Sequence, residues 1–484
     1  MAMQATDTPT RRLADFIAAT RPPAAARQRA AVAFCDTVGV MLAGVPETAA
    51  TLIRSMAAAA GPIGQTAAGP CRILGTADRG GPEDAALANG VAAHALDYDD
   101  MCFVSLAHPS CALVPAALAA GELTAATGRT LLDAYIAGFE IECRLGSMMN
   151  PRHYHQRGWH CTSSIGTVGA AAAAARVLNL TAPATMHALG IAASLAGGLK
   201  ENLGTMVKPL HAGMAARNGV MAARLAGAGF TASEQAIDGP QGYLAAMDSE
   251  HPAAALSDAI ADLGSRWEIL DTGITVKLYP SCAATHPPLD VLLDLRHRHG
   301  LAAEDIAAID VDVDSMTPRL LIHERPSTAL EAKFSMPFCA AAAMVFGHPA
   351  IDTFAVAPIG DARVQALLPR VTLRANPAFD AAAPLSQARV TIRLHDGRTF
   401  AGQANGARGY PGRLSTEELE TKFLACARRS LAPAAAAAAL AAVRAIEENG
   451  DVRTLTEACA TKNSMPGPHG GTNGGKGLFE DADD

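Results

Sequence analysis

The chain has 484 residues, half of them apolar and only 4 % aromatic, with a formal net charge of −8. That length exceeds what a single hydrophobic core serves, roughly 250–300 residues, so two domains with a cleft between them are expected. The acidic balance, without any basic stripe interleaved with aromatics, excludes nucleic acid as a partner; charges interrupt every apolar run before membrane-spanning length, and the Arg11, Arg12 and Asp15 start is unlike a signal peptide, so a cytoplasmic protein with no membrane contact is expected.

With so few aromatics, the core must be built from Ala, Leu, Val and Ile on closely approaching helices. From Asp15 to about Leu270 helical apolar patterns alternate with short Gly, Pro or Asn breaks, as in Leu131 to Leu145 and Gly166 to Leu180. After Lys277 the texture changes. Ala307-Ile309-Val311-Val313 and Val390-Ile392-Leu394 alternate as strands, and Asp396-Gly397 marks a hairpin turn. Helical patterning resumes at Ser415, where Ser-Thr-Glu-Glu-Leu offers a capped start, and runs to about Glu447. The predicted fold is mainly α with an α+β lid: a large all-helical domain built from both chain ends (1–270 and 412–462) and a smaller α+β domain (271–411). Gly273 and Gly412 flank the lid and permit hinge motion. The Gly- and Pro-rich, finally acidic 463–484 reads as a disordered tail. Its 470–477 stretch superficially resembles a phosphate loop, but no strand precedes it and no helix follows.

The stretch most suggestive of chemistry is His94-Ala95-Leu96-Asp97-Tyr98-Asp99-Asp100, followed by Ala107-His108-Pro109-Ser110. Three carboxylates within four residues repel one another, so a fold keeps them only where cations, hydrogen bonds or solvent satisfy them. A second cluster, His153 to Ser164, ends where a small-residue helix begins; His153 and His155 read as satisfied loop histidines and His160 as the stronger candidate. A third, Gly204 to His211, places Lys208 between apolar neighbours, where it reads equally as a carboxylate ligand or as a lysine snorkelling along the surface. The fourth, Val276 to His286, repeats that logic around Lys277 at the domain boundary. Arg144 could pair with the acidic segment. The ten cysteines contain no Cys-x-x-Cys pair, and no histidine or carboxylate recurs at metal-ligand spacing, so no metal is predicted. Cys282 is the one thiol among polar neighbours. Lysines, histidines and an aspartate without a dinucleotide loop suit proton chemistry on a polyanion.

At these clusters, and at Phe34-Cys35-Asp36-Thr37-Val38-Gly39, Gly158-Trp159-His160, Lys208-Pro209-Leu210-His211-Ala212-Gly213, Tyr279-Pro280, Thr285-His286-Pro287 and Lys333-Phe334-Ser335-Met336-Pro337, the chain resembles the MmgE/PrpD family to about residue 460. That family includes 2-methylcitrate dehydratases, cis-aconitate decarboxylases and an iminodisuccinate epimerase. The resemblance implies a homodimer, an active site at the junction of helical and lid domains, and no metal or organic cofactor in the decarboxylase and epimerase branches. It places Asp97, His108, His160, Lys208 and Lys277 at active-site positions: the histidines as the proton-transfer pair, the lysines as carboxylate ligands, Asp97 as an orienting acid. Tyr154, Arg157, Ser281 and Thr285 are further candidates for binding substrate oxygens.

Met101 stands where the decarboxylase branch has threonine and Phe338 where it has tyrosine, and the spacing from Asp97 to His108 is one residue longer. These departures predict a substrate other than cis-aconitate, because a site built around hydroxyls loses several orders of magnitude without them. The expected function is a cofactor-independent lyase on a small di- or tricarboxylate, similar to 2-methylcitrate dehydratase; the alternatives are an epimerase of an amino- or imino-dicarboxylate and a non-catalytic carboxylate-binding protein.

Overall fold

A computed structural model describes residues 7–59, 69–382 and 386–461; the predicted tail and its glycine-rich stretch fall outside them. The chain is mainly α-helical with a smaller α+β portion. The helices Pro82–His94, Ser110–Thr124, Gly128–Met149, Cys161–Val177 and Val207–Gly227 pack on one another. Their shared core runs from Ala26 to Val276 and takes up Leu419 to Cys459 from the far end of the chain. The returning helix Thr416–Ala427 starts on a capping box, Ser415 with Glu418, and lies against Ala24–Gly44.

Small residues at the crossings let these helices approach closely. A Cβ added at Gly90 would lie 2.8 Å from Gly213 Cα, and one at Gly213 would lie 2.5 Å from Leu87 O. This contact brings the first turn of Val207–Gly227, which carries Lys208 and His211, toward the last turn of Pro82–His94. Overpacking such a crossing costs about 1–3 kcal/mol. Gly90→Ala is therefore expected to lower the melting temperature by a few degrees in calorimetry.

A second core, from Leu278 to Leu394, surrounds a four-stranded sheet. After a short antiparallel pair, β1 (Cys71–Arg72) and β2 (Arg79–Gly80), the sheet comprises β3 (Ile306–Val313), β4 (Val371–Ala375), β5 (Gln387–Leu394) and β6 (Thr399–Asn405), in the order β4-β3-β5-β6. Only β3 and β4 run parallel. The β5–β6 hairpin turns at Asp396-Gly397, with Gly397 at φ +89°. Helix His286–His299 covers β5 and β6, and Met336–Phe346 packs on β4.

Two expectations need correction. The first portion is not wholly helical, since it contains β1 and β2. Nor does regular helix continue to Leu270: from Ala228 onward there are only short helical turns such as Tyr243–Ala246 and Leu256–Ala259, because Gly239, Pro240, Gly242 and Pro252 interrupt the backbone pattern. Gly273 (φ +60°) and Gly412 (φ +81°) both adopt left-handed backbone, and a Cβ at Gly273 would meet Pro411 Cγ at 3.0 Å. The two connections between the portions thus run side by side. Among the described residues no single helix is long and apolar enough to cross a membrane; Ala24–Gly44 with Thr48–Met56 reaches that length and composition only across an 84° bend.

Candidate active site

The helix Pro82–His94 ends in a buried loop whose three acids each have their own partners. Asp97, held in left-handed backbone at φ +52°, accepts at Oδ1 from Lys208 Nζ (2.7 Å) and Lys277 Nζ (2.8 Å). Asp99 Oδ2 lies 2.8 Å from His94 Nδ1 and 3.4 Å from His108 Nδ1. Asp100 bonds Ser110 Oγ, which in turn lies 2.7 Å from Tyr135 Oη. Burial opposes ionisation of Asp97 and Asp99, but the two ammonium groups around the first and the two imidazoles around the second outweigh it and hold both carboxyls well below the usual range. At Asp100 burial and the nearby Asp36 charge win instead, and the carboxyl is pushed well above that range.

The loop's backbone is held the same way. Lys333 Nζ donates to Leu96 O, Lys277 Nζ to Asp97 O (3.0 Å) and Lys422 Nζ to Tyr98 O (2.8 Å). Three consecutive carbonyls therefore face three buried ammonium groups. Lys422 also pairs with Asp36 at 2.5 Å. Burial lowers Lys333 to about 8.

His108 Nδ1 lies 2.9 Å from Asp100 O. A carbonyl only accepts, so Nδ1 carries the hydrogen and Nε2 presents a lone pair, 3.9 Å from Asp97 Oδ1. His160 is placed by a short extended pairing: Trp159 bridges Leu199, His160 N donates to Gly198 O (3.0 Å), and helix Cys161–Val177 begins at the next residue. Its Nδ1 lies 3.0 Å from His211 Nδ1. The ring of His94 stands between these two groups, 4.6 Å from His108 and 6.0 Å from His160. Burial pushes all four imidazoles below the ordinary histidine range, which favours the neutral ring in each.

A cleft of about 1130 Å³ opens over this cluster and is lined by Asp97, Met101, His108, Tyr154, Arg157, His160, Lys208 and Lys277. Eight of the eleven residues singled out from sequence thus share one wall system. Ser281, Thr285 and Phe338 do not line it. Ser281 Oγ and Thr285 Oγ1 bond each other at 2.7 Å, the latter also donating to Cys282 O, and Phe338 is buried in the second core against Phe354. The hydroxyl pair is already satisfied, and the Phe338 ring is enclosed by the apolar second core. Arg157 pairs with Asp248 at the mouth. Arg144 turns to Asp262 (2.8 Å) and Glu268 (3.9 Å) and not to the acidic loop. Cys282 lines the cleft, but burial raises its thiol pKa and disfavours a thiolate.

Sequence reasoning gave no role to His94, Lys200, His211, Lys333 or Lys422. Lys200, in the cleft wall 4.2 Å over the Tyr154 ring, has neutral Gly, Leu and Asn around it apart from Glu201 and carries no motif. The other four stand inside or beside quoted motifs or in the returning helix, and only their three-dimensional partners show what they do.

His94, Asp97, Asp99 and His108 bring ligand-type atoms within 4.8 Å of one another. The donor set does not suit a cation. The Asp97 oxygen already receives two ammonium groups, whose charges would repel a metal ion at the same atom.

The MmgE/PrpD N-terminal domain model matches residues 11–255 and the C-terminal domain model residues 279–448. Human cis-aconitate decarboxylase is 30 % identical over 384 residues, 78 % of this chain and 79 % of that protein. The cis-aconitate decarboxylase-like protein oryM of Aspergillus oryzae is 28 % identical over 73 % of this chain and 77 % of its own, and the cis-aconitate decarboxylase of Aspergillus terreus 27 % over 73 % and 76 %. The two domain models together span most of the sequence, in the same order as the two cores: the chain belongs to the MmgE/PrpD family.

Proposed function

We propose that the chain is a lyase of the dehydratase or decarboxylase type, acting on a small di- or tricarboxylate with protein side chains as its charge-stabilising groups. The observation that carries this reading is the pairing of Lys208 and Lys277 on one carboxylate beside two neutral imidazoles that open on the same cleft. Removing a C–H proton, or losing carbon dioxide, leaves an electron pair on carbon next to a carboxylate. That pair delocalises onto the carboxylate oxygens, where preorganised cations are worth about 3–4 kcal/mol per donor. Lys208 and Lys277 supply them, with Lys200 farther along the wall. His108 Nε2, with its lone pair toward the cleft, and His160 take and return the proton. In a dehydration the second imidazole protonates the leaving hydroxide; in a decarboxylation of cis-aconitate the electron pair left by carbon dioxide shifts through the double bond to the far carbon of the allyl system, next to a remaining carboxylate, and the proton goes to that carbon. The relatives' names favour a lyase over an epimerase.

Proton NMR in deuterated buffer with cis-aconitate, 2-methylcitrate, citrate and iminodisuccinate tests this reading. New vinylic signals from a hydroxy acid, or itaconate from cis-aconitate, support it. Exchange of an α-proton without elimination would replace it with the epimerase, and binding without turnover across the panel with a carboxylate-binding protein. Light scattering of the purified chain checks the homodimer that accompanies the proposal.

Of the two side-chain departures from the decarboxylase branch, Met101 alone lines the cleft. Met101→Thr is expected to change the ratio of kcat/KM between cis-aconitate and the hydroxy acids by tenfold or more. Phe338→Tyr is expected to leave that ratio unchanged and to cost stability, because its new hydroxyl would be buried in an apolar core. Steady-state kinetics on the panel and a melting curve check both outcomes.

A further inference from the structure

A base must keep its lone pair on the nitrogen that faces the substrate, and a histidine usually owes this to a carboxylate or carbonyl behind it. His108 has the Asp100 carbonyl. His160 has another imidazole, His211, at 3.0 Å between Nδ1 atoms. Such a contact is a hydrogen bond only when one ring bears hydrogen on Nδ1 and the other presents a lone pair there, so the two neutral rings hold opposite tautomers.

The surroundings leave His160 little else to rely on. After burial, the largest electrostatic influences on it are His94, Lys208, His108 and His211, all cationic when charged. Among the described residues no carboxylate lies within hydrogen-bond reach of its ring. Asp97, the nearby acid, is engaged by Lys208 and Lys277. His211 sits one helical turn after Lys208, and Gly198 (φ +107°) leaves room for its ring: an added Cβ there would lie 3.4 Å from His211 Cδ2 and 2.6 Å from Ser163 Cβ.

We propose that His211 is a positioning residue that holds the Nδ1 hydrogen of His160, keeps His160 Nε2 free as the proton acceptor, and takes the Nδ1 proton when Nε2 is protonated. The proton balance closes. Nε2 of His160 gains the substrate proton, the His160 Nδ1 proton passes to His211 Nδ1, and the positive charge rests on the His211 ring until the return step reverses both transfers. The inference rests on the reading of His160 as a proton-transfer group.

The test combines nitrogen-15 histidine NMR of the full-length protein with kinetics on whichever panel compound it turns over. In the unliganded wild type His160 should show one tautomer, hydrogen on Nδ1. His211→Ala should give mixed tautomers and a kcat about 10- to 100-fold lower with KM nearly unchanged, below the 10²–10⁴-fold loss of a general base itself. His211→Asn, whose carbonyl can accept from Nδ1, should recover most of that loss, and His211→Asp should shift the acid limb of the kcat profile upward by about one pH unit or more through its added charge. If His211→Ala does not fold, the Asn and Asp variants carry the test. A folded His211 variant with unchanged His160 tautomer, kcat and pH profile would overturn the inference while His160→Ala still lowers kcat by about 100-fold or more. An unchanged kcat in His160→Ala would instead sink the functional reading beneath it.

Discussion

Asp97→Ala is expected to abolish turnover, by three orders of magnitude or more in kcat/KM, and to lower stability by about 3–5 kcal/mol, the cost of removing one partner from a buried ion pair. Its carboxylate is the shared acceptor for Lys208 and Lys277, at 2.7 and 2.8 Å, and all three side chains are buried. Without it two ammonium groups remain close together with no counter-ion, and both the charge and the aim of the carboxylate ligands are lost. The pH dependence has a definite sign. The folded-state pKa of Asp97 is depressed, so its contribution is fully present above the unfolded value, about 3.9, and is lost as pH falls toward the folded value. That of Lys277 is raised, so its contribution is present below about 10.4 and is lost as pH climbs through the folded value. Asp97→Asn should therefore flatten the stability profile at both its acid and its alkaline ends. Chemical denaturation across pH, beside the wild type, reads this directly; an Asn variant that keeps both slopes would show that the lysines do not depend on this acid.

The second large effect concerns the imidazoles. His160→Ala is expected to lower kcat by about 10²–10⁴-fold, the usual contribution of a positioned acid or base, and His108→Ala by a similar factor. Because the two act on one proton itinerary, the double variant should lose far less than the product of the single losses. Circular dichroism separates this from unfolding. Solvent-deuterium incorporation separates the roles: the residue that abstracts the proton controls exchange into recovered substrate, whereas its partner controls product formation with exchange retained. Full activity in both single variants would remove the histidines from the chemistry and leave the lysine pair as a binding site only.

How far the sequence could be read differs between fold and site, for identifiable reasons. The helix Gly128–Met149 and the strands β3 and β5 show their own periodicity, the helix Cys161–Val177 is a run of small apolar residues buried on every side, and the Ser415 cap and the Asp396-Gly397 turn are local chemistry. The irregular run after Ala228 keeps apolar residues without a helical ladder, so patterning alone overextended the helix. In the site, motif membership singled out Asp97, His108, His160, Lys208 and Lys277, which line one cleft, yet could not tell which neighbours face it. Ser281 and Thr285 flank the lining residues Cys282 to Ala284 but turn to each other. Lys422, more than 320 positions from Tyr98, has no local signal at all, since a lysine in an amphipathic helix ordinarily lies in solvent.

The three lysines on the carbonyls of Leu96, Asp97 and Tyr98 come from widely separated parts of the chain, the last of them within forty residues of the end of the described segment. The loop is therefore a late product of biogenesis. A ribosome that has released the first 330 residues has exported every proposed acid, base and carboxylate ligand, but not Lys333 and Lys422, two of the three cations that fix the loop. Catalytic competence becomes a property of the finished polypeptide, and C-terminal truncation before Lys422 should yield a protein that is largely helical and silent.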